Sequence, residues 1–143
     1  MAISARPDER VLVDTSVAVA LVVSDHSHHD VTFAALAGRP LGLAGHAAFE
    51  TFSVLTRLPP PARRTAATVA RLLTARFPES RFLDETSASE LLAVLASRQI
   101  AGGSVYDALV GATAAAHDCT LITRDRRALS VYRTLDVRVE LLE

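Results

Sequence analysis

The stretch Val11-Leu12-Val13-Asp14-Thr15-Ser16 decides how the rest of the chain is read. Three successive apolar residues have the character of a buried strand. An acid followed by two hydroxyl residues marks its polar end, and a helix is expected over 17–23. That order places Asp14 at the carboxyl edge of a strand, where open α/β sheets bind their ligands. Taken alone, Asp14 reads first as an N-cap, its carboxylate accepting N–H bonds from the first turn of the helix. The chemistry turns on whether other acids reach the same edge.

Downstream, strand-like and helix-like segments alternate. A polar turn with His26, His28 and His29 leads into a helix over 31–37, closed by Gly38. The three histidines lack the i, i+4 spacing of a helical zinc pair, so they read as a solvated loop and helix start. A short strand over 40–44 precedes a helix over 46–58, where Ala48, Phe52 and Leu55 recur at the spacing of one buried face. Glu50 lies beside that stripe and by itself reads as a surface residue. Pro59-Pro60-Pro61 stops the helix. An amphipathic helix over 62–77 follows, with Arg63, Arg64, Arg71 and Arg76 on its polar side.

A third strand is expected over 80–84. Ser87 and Glu90 have the capping-box spacing for a helix reaching residue 100. After Gly102-Gly103, Ser104 is the expected N-cap of a small-residue helix running to 117, with Asp107 in its first turn, where a carboxylate also suits the helix dipole. A fourth strand over 119–123 ends just before Asp125, repeating the geometry of Asp14 or simply capping a short helix over 126–132. The alternating run 137–141 closes the pattern as an edge strand. Strands alternating with helices predict an α/β fold with a mainly parallel sheet, whose strand carboxyl ends all point one way.

The chain of 143 residues is the length of one domain, expected over 1–143. Half of it is hydrophobic but only 5% aromatic, so the core must be built from Ala, Val and Leu. The net charge of −1 gives no global pull toward nucleic acid, and all 15 basic residues are arginine. Arginine grips phosphate through a planar fork. The single cysteine, Cys119, excludes an intramolecular disulfide, fits a reducing compartment and reads as a small core residue. Residues 11–23 follow Arg6 and Arg10, as a signal sequence would, but Asp8, Glu9 and Asp14 spoil that pattern. No apolar run reaches the length of a membrane span, so a cytoplasmic location is expected.

Four short segments carry a family resemblance: Val-Asp-Thr-Ser at 13–16, Ala-Phe-Glu-Thr-Phe-Ser-Val-Leu-Thr-Arg-Leu-Pro at 48–59, Tyr-Asp-Ala-Leu at 106–109, and Leu-Ile-Thr-Arg-Asp at 121–125. Each is weak; together and in this order they closely resemble the PIN domain, and within it the VapC toxins of bacterial toxin–antitoxin pairs. The resemblance implies a three-layer α/β/α sandwich and a metal-dependent endoribonuclease. Asp14, Glu50, Asp107 and Asp125 match the four acids that gather Mg2+ or Mn2+, while Thr15 or Ser16 and Thr123 match polar positions that order the site. It also implies an RNA substrate, a VapB-like antitoxin and a homodimer. Arg124, Arg126 and Arg127 flank Asp125 and are candidates to hold RNA phosphates, or else solvated charges on a short helix.

The electrostatics agree with a metal. Two carboxylates about 4 Å apart repel by roughly 4 kcal/mol at an effective dielectric near 20, so four gather only if protonated or neutralised by a cation. Magnesium and manganese are hard ions that prefer carboxylate oxygen. Two other readings remain: an aspartate-based phosphotransfer domain with Asp14 as acceptor, and a non-catalytic module that binds RNA or a partner.

Overall fold

The computed structural model describes residues 9–143; Arg6 and Asp8, weighed above for a leader, lie outside them. Strand β1 (Val11–Val13) is completely buried, as an unbroken apolar run requires. It is followed by α1 (Thr15–Val22), α2 (His29–Leu36), β2 (Leu41–Leu43), α3 (His46–Thr56), α4 (Ala66–Arg76), α5 (Glu85–Ser97) and α6 (Ser104–Ala116). Then come β3 (Thr120–Thr123), a 3-10 turn at Arg126–Ala128, α7 (Leu129–Thr134) and β4 (Val139–Leu141). The strands lie in the order β2-β1-β3-β4 and every ladder is parallel.

The pleat of β1 divides the core. Val11 and Val13 join Leu41, Leu43 and Ile122 on one face, covered by Val17 and Leu21 of α1, Leu36 of α2, and Val69 and Leu73 of α4. Leu12 turns to the opposite face with Leu121, covered by Val110 and Ala114 of α6 and Tyr132 of α7. Helix α5 packs outside α6 through Leu91 and Leu95. Helices on both faces of one parallel sheet make the expected three-layer α/β/α sandwich. Each fully buried Val or Leu contributes about 1.5–3 kcal/mol. The small residues of α6 let it lie close on the sheet, which is how so large a core forms with few aromatic rings.

The expected third strand over 80–84 does not form. Only a single parallel bridge joins Arg81 to Ala44. The Leu43 N–H goes to the Ser80 side chain (2.9 Å), not to a main-chain carbonyl, so a hydroxyl interrupts the ladder. Asp84 then draws the chain away from the sheet, because it caps α5 by accepting the Ser87 N–H at 2.7 Å. Helix α5 therefore starts before the expected capping box, and Ser87 is a donor within its first turn. Helix α4 is shorter than the amphipathic pattern suggested: Thr65 caps it, and residues 62–65 stay outside. The N-cap of α6 is Gly103, with Ser104 already helical.

The histidine-rich turn is structural. His29 bonds the Ala20 carbonyl through Nδ1 (2.8 Å), tying α2 to α1, and His26 accepts the His28 N–H. Cys119 is buried, and that burial pushes its thiol up, away from reactivity. Among the described residues, no helix is long and apolar enough to cross a membrane.

Candidate functional site

The strand order creates the site. From β1 the chain crosses to β2 on one side and later returns to β3 on the other, so β1 and β3 flank the topological switch point of the sheet. Their register pairs Val13 with Ile122, which sets Asp14 beside Thr123. The Asp14 N–H continues the ladder to the Ile122 carbonyl at 3.2 Å.

Asp14 is only 5% exposed, yet its carboxylate is fully engaged. Oδ1 accepts from Ser16 Oγ (2.5 Å) and, as the N-cap of α1, from the Val17 N–H (3.3 Å). Oδ2 accepts from the Thr123 hydroxyl and from the Tyr132 phenol (3.0 Å). A carboxylate offers about four lone-pair positions, and these four hydrogen bonds hold it in one orientation. Burial raises the carboxyl above its ordinary range, against the lowering pull of Ser16, Thr123, Tyr132 and Val17. Two of the hydroxyls reach further. Thr123 Oγ1 also accepts the Asp125 N–H (3.0 Å), and Ser16 Oγ accepts the Arg124 N–H (2.9 Å). The exit of β3 is thereby fastened to the exit of β1.

Asp125 caps the 3-10 turn, its Oδ1 accepting the Arg127 N–H at 2.9 Å, while the Arg127 guanidinium forks onto the same carboxylate. Asp107 is half-buried in the first turn of α6. Burial raises its carboxyl, and the negative charges of Asp125, Glu50 and Asp14 raise it further; Arg127 pulls the other way. The charges of the other three sequence-predicted acids therefore all reach Asp107. Glu50 arrives because α3 crosses the sheet edge: Ala47 near its start packs in the α6-side core, and Leu55 near its end packs in the opposite one. Gly45 permits that crossing. Its φ is +53°, and a Cβ there would lie 2.5 Å from Thr113 Oγ1 of α6.

The acids face one another without closing into a shell. Among the described residues, no three His, Cys, Asp or Glu side chains stand as a ready-made ion cage. What they offer is an all-oxygen donor set under mutual repulsion. The buried Thr15 hydroxyl beside it has no hydrogen-bond partner. That chemistry fits a hard divalent cation and does not fit zinc, which favours His or Cys.

Of the supporting residues, Ser16 and Thr123 bond Asp14 directly, and Thr15 does not. Each of the three arginines also has a partner within the chain. Arg124 Nη1 donates to Thr32 of α2 (3.2 Å), Arg126 pairs with Glu143, and Arg127 holds Asp125. Tyr132 escaped the sequence reading, which ended the short helix on it and gave it no role. Its signal was present: a tyrosine seven residues past the last acid, in a chain whose core has almost no aromatic residues. Tyr132 is 1% exposed and fits against Gly111, where a Cβ would lie 2.9 Å from its ring.

An acid-lined switch point in a parallel α/β/α sandwich defines a class, and the sequence match to it is direct. Residues 11–134 match the PIN domain model, and the chain belongs to the PIN domain family. Within that family its curated relatives are VapC ribonucleases. It is 47% identical over 127 residues to ribonuclease VapC27 of Mycobacterium tuberculosis (strain ATCC 25618 / H37Rv), covering 89% of this chain and 93% of the relative. To ribonuclease VapC40 of the same species (strain CDC 1551 / Oshkosh) it is 45% identical over 131 residues, covering 90% and 96%. Two solved structures share the fold. VapBC2 from Rickettsia felis, bound to a DNA fragment from its promoter, superposes with a TM-score of 0.66 at 15% identity, covering 94% of this chain and 99% of that one. FitAB bound to the IR36 DNA fragment gives 0.61 at 20%, covering 93% and 97%.

Proposed function

We propose that the protein is a divalent-metal-dependent endoribonuclease of the VapC kind, with Asp14, Glu50, Asp107 and Asp125 holding Mg2+ or Mn2+. The observation that supports this reading is that the charges of Asp14, Glu50 and Asp125, from three other elements, all reach Asp107. When bound there by these acids, a hard divalent ion would supply a Lewis acid that lowers the pKa of water and offsets charge on a phosphodiester oxygen. The chain's own residues do the rest. Thr123, Ser16 and Tyr132 fix the orientation of Asp14, so it meets a cation without reorganising. Arg127 partly neutralises Asp125 and stands at the lip, 92% exposed, where it can meet a phosphate.

Asp14 is poorly made for covalent phosphotransfer. It is buried, and the position two residues on, where haloacid-dehalogenase-type phosphatases carry a second Asp, is Ser16. A cytoplasmic location and a single PIN domain, matched over residues 11–134, belong to the same reading. A VapB-like antitoxin and a homodimer belong to the same proposal, and the solved VapBC2 and FitAB complexes support the antitoxin. Purified protein should cut single-stranded RNA with Mg2+ or Mn2+ and stop on chelation. RNA left intact by metal-loaded wild type, or cut equally well in chelator, would overturn the proposal. A covalent phosphoryl adduct on Asp14 after incubation with a small phosphodonor would favour the phosphotransfer reading instead.

A further inference from the structure

The rings of this protein are placed unusually. A chain with only five Phe and two Tyr leaves Phe33, Phe49, Phe82 and Tyr106 half exposed or more, while aliphatic residues fill the core. Two of the four border one cleft of about 370 Å³, lined by Thr15, His46, Phe49, Glu50, Arg57 and Tyr106 among others. Glu50 and Thr15 belong to the acidic site, so the cleft opens directly from it. Tyr106 stacks on His46, with ring centroids 5.0 Å apart and planes 19° apart, yet Tyr106 remains 52% exposed. His46 stacks against the phenol ring, and about half of Tyr106 stays open to solvent. Phe49 stands alongside, 65% exposed.

The placement follows from the acids themselves. Tyr106 immediately precedes Asp107 on α6, and His46 lies one turn before Glu50 on α3. The two helices that bring acids to the edge thus also bring a ring pair, with His46 about 6 Å from Glu50 along α3. That separation is within the span of a single nucleotide. Arg57, exposed at the end of α3, lines the same cleft and supplies positive charge for a neighbouring phosphate.

We propose that the Tyr106–His46 stack is a nucleobase-binding subsite, holding one unpaired base of single-stranded RNA beside the phosphodiester presented to the acids. The subsite rests on the reading that the chain cuts RNA. Single-stranded RNA is recognised by stacking unpaired bases on aromatic faces, and each stack is worth about 1–3 kcal/mol in alanine scans. An aromatic ring backed by another ring, about half open to solvent and flanked by an arginine, has that form. A second copy of the chain would need only apolar area there, and an aliphatic side chain would serve it as well as a ring.

That difference supplies the test. A short single-stranded RNA carrying 2-aminopurine is titrated, in chelator to prevent metal-dependent cleavage, with wild type, Tyr106→Phe, Tyr106→Leu and Tyr106→Ala. Oligomeric state is followed by sedimentation. Wild type and Tyr106→Phe should quench the base fluorescence and bind with similar affinity. Leu and Ala should lose the quenching and weaken binding about 5- to 150-fold, the worth of one stack. Arg57→Ala should lower the dependence of binding on salt by about one phosphate contact. A Leu variant that binds and quenches like wild type overturns the proposal. So does an Ala variant with unchanged RNA affinity but a dissociated dimer, which would make the patch an interface between copies. Should Ala fail to fold, the Phe and Leu pair still decides. Failure of the acid reading is separable: Asp14→Asn that still cleaves with metal refutes the acids' role, while the Tyr106 binding pattern stands on its own.

Discussion

Asp14 and Asp84 are the same residue in the same local motif, and they behave oppositely. Each follows an apolar segment, takes extended backbone and caps a helix through one carboxylate oxygen. Asp84 is exposed, and its bonds from Ser87 hold its carboxyl below the ordinary range near 3.8. Asp14 accepts twice as many kinds of donor, yet burial carries its carboxyl above that range. The motif fixes the cap; the surroundings fix the charge. A carboxylate held still by four donors, buried, and facing three more acids has a use for a cation that a surface cap does not.

The largest effect that tests this contrast is Asp14→Asn. The amide keeps an acceptor for Ser16 and Val17 while removing the buried charge. RNA cleavage should fall at least about 100-fold, and the rise in melting temperature on adding Mn2+ should shrink, with metal-free stability not reduced. Wild-type cleavage by this variant would reduce Asp14 to a second Asp84.

Next comes Tyr132→Phe, which deletes one donor to Asp14 and preserves the ring against Gly111. Losing a bond to a buried carboxylate should cost about 1.5–3 kcal/mol in denaturant unfolding. Manganese affinity, measured calorimetrically, should weaken by about tenfold or more, as for other partners of metal ligands. Unchanged metal affinity would leave the phenol a purely structural role.

The pH dependence of the metal-free protein is smaller and its sign is fixed. Asp14 and Asp107 have raised carboxyls in the fold, so the folded state holds more protons than the unfolded chain as pH rises above about 3.8. Their contribution is full below that value and is lost as pH climbs through the raised ones. Asp84 has the opposite sign: its contribution is present above about 3.8 and is lost as pH falls below it. Melting temperature without metal should therefore decline from mildly acidic toward neutral pH, and the gain from Mn2+ should grow in the same direction as carboxylates deprotonate. A metal-free melting temperature that rises steadily across this interval would contradict the repelling cluster. The smallest effect belongs to Asp84→Ala, a fall in melting temperature of about 2–4 °C with cleavage untouched.

Much of this was legible in the sequence because it is local or periodic. The apolar run of β1, the stripe Ala48, Phe52 and Leu55 on α3, and the small-residue helix α6 each announce an element and a buried face. The strand expected over 80–84 was misread because Arg81, Phe82 and Leu83 look strand-like, while a hydroxyl at Ser80 and a cap at Asp84 decide otherwise. Those are competitions between side-chain and main-chain hydrogen bonds, which pattern alone does not rank.

The sequence by itself determined the α/β alternation and, through its four motifs, the family, because spacing and residue type are properties of the chain; the four acids as a set are what that resemblance implies. Only the tertiary structure decided that Asp14 is buried, that Ser16 and not Thr15 holds it, and that Tyr132, 118 positions away, completes its shell of donors. Burial and long-range hydrogen bonds depend on which strands become neighbours. The strand order β2-β1-β3-β4, which joins the ends of β1 and β3, is settled by how the helices pack on both faces of the sheet.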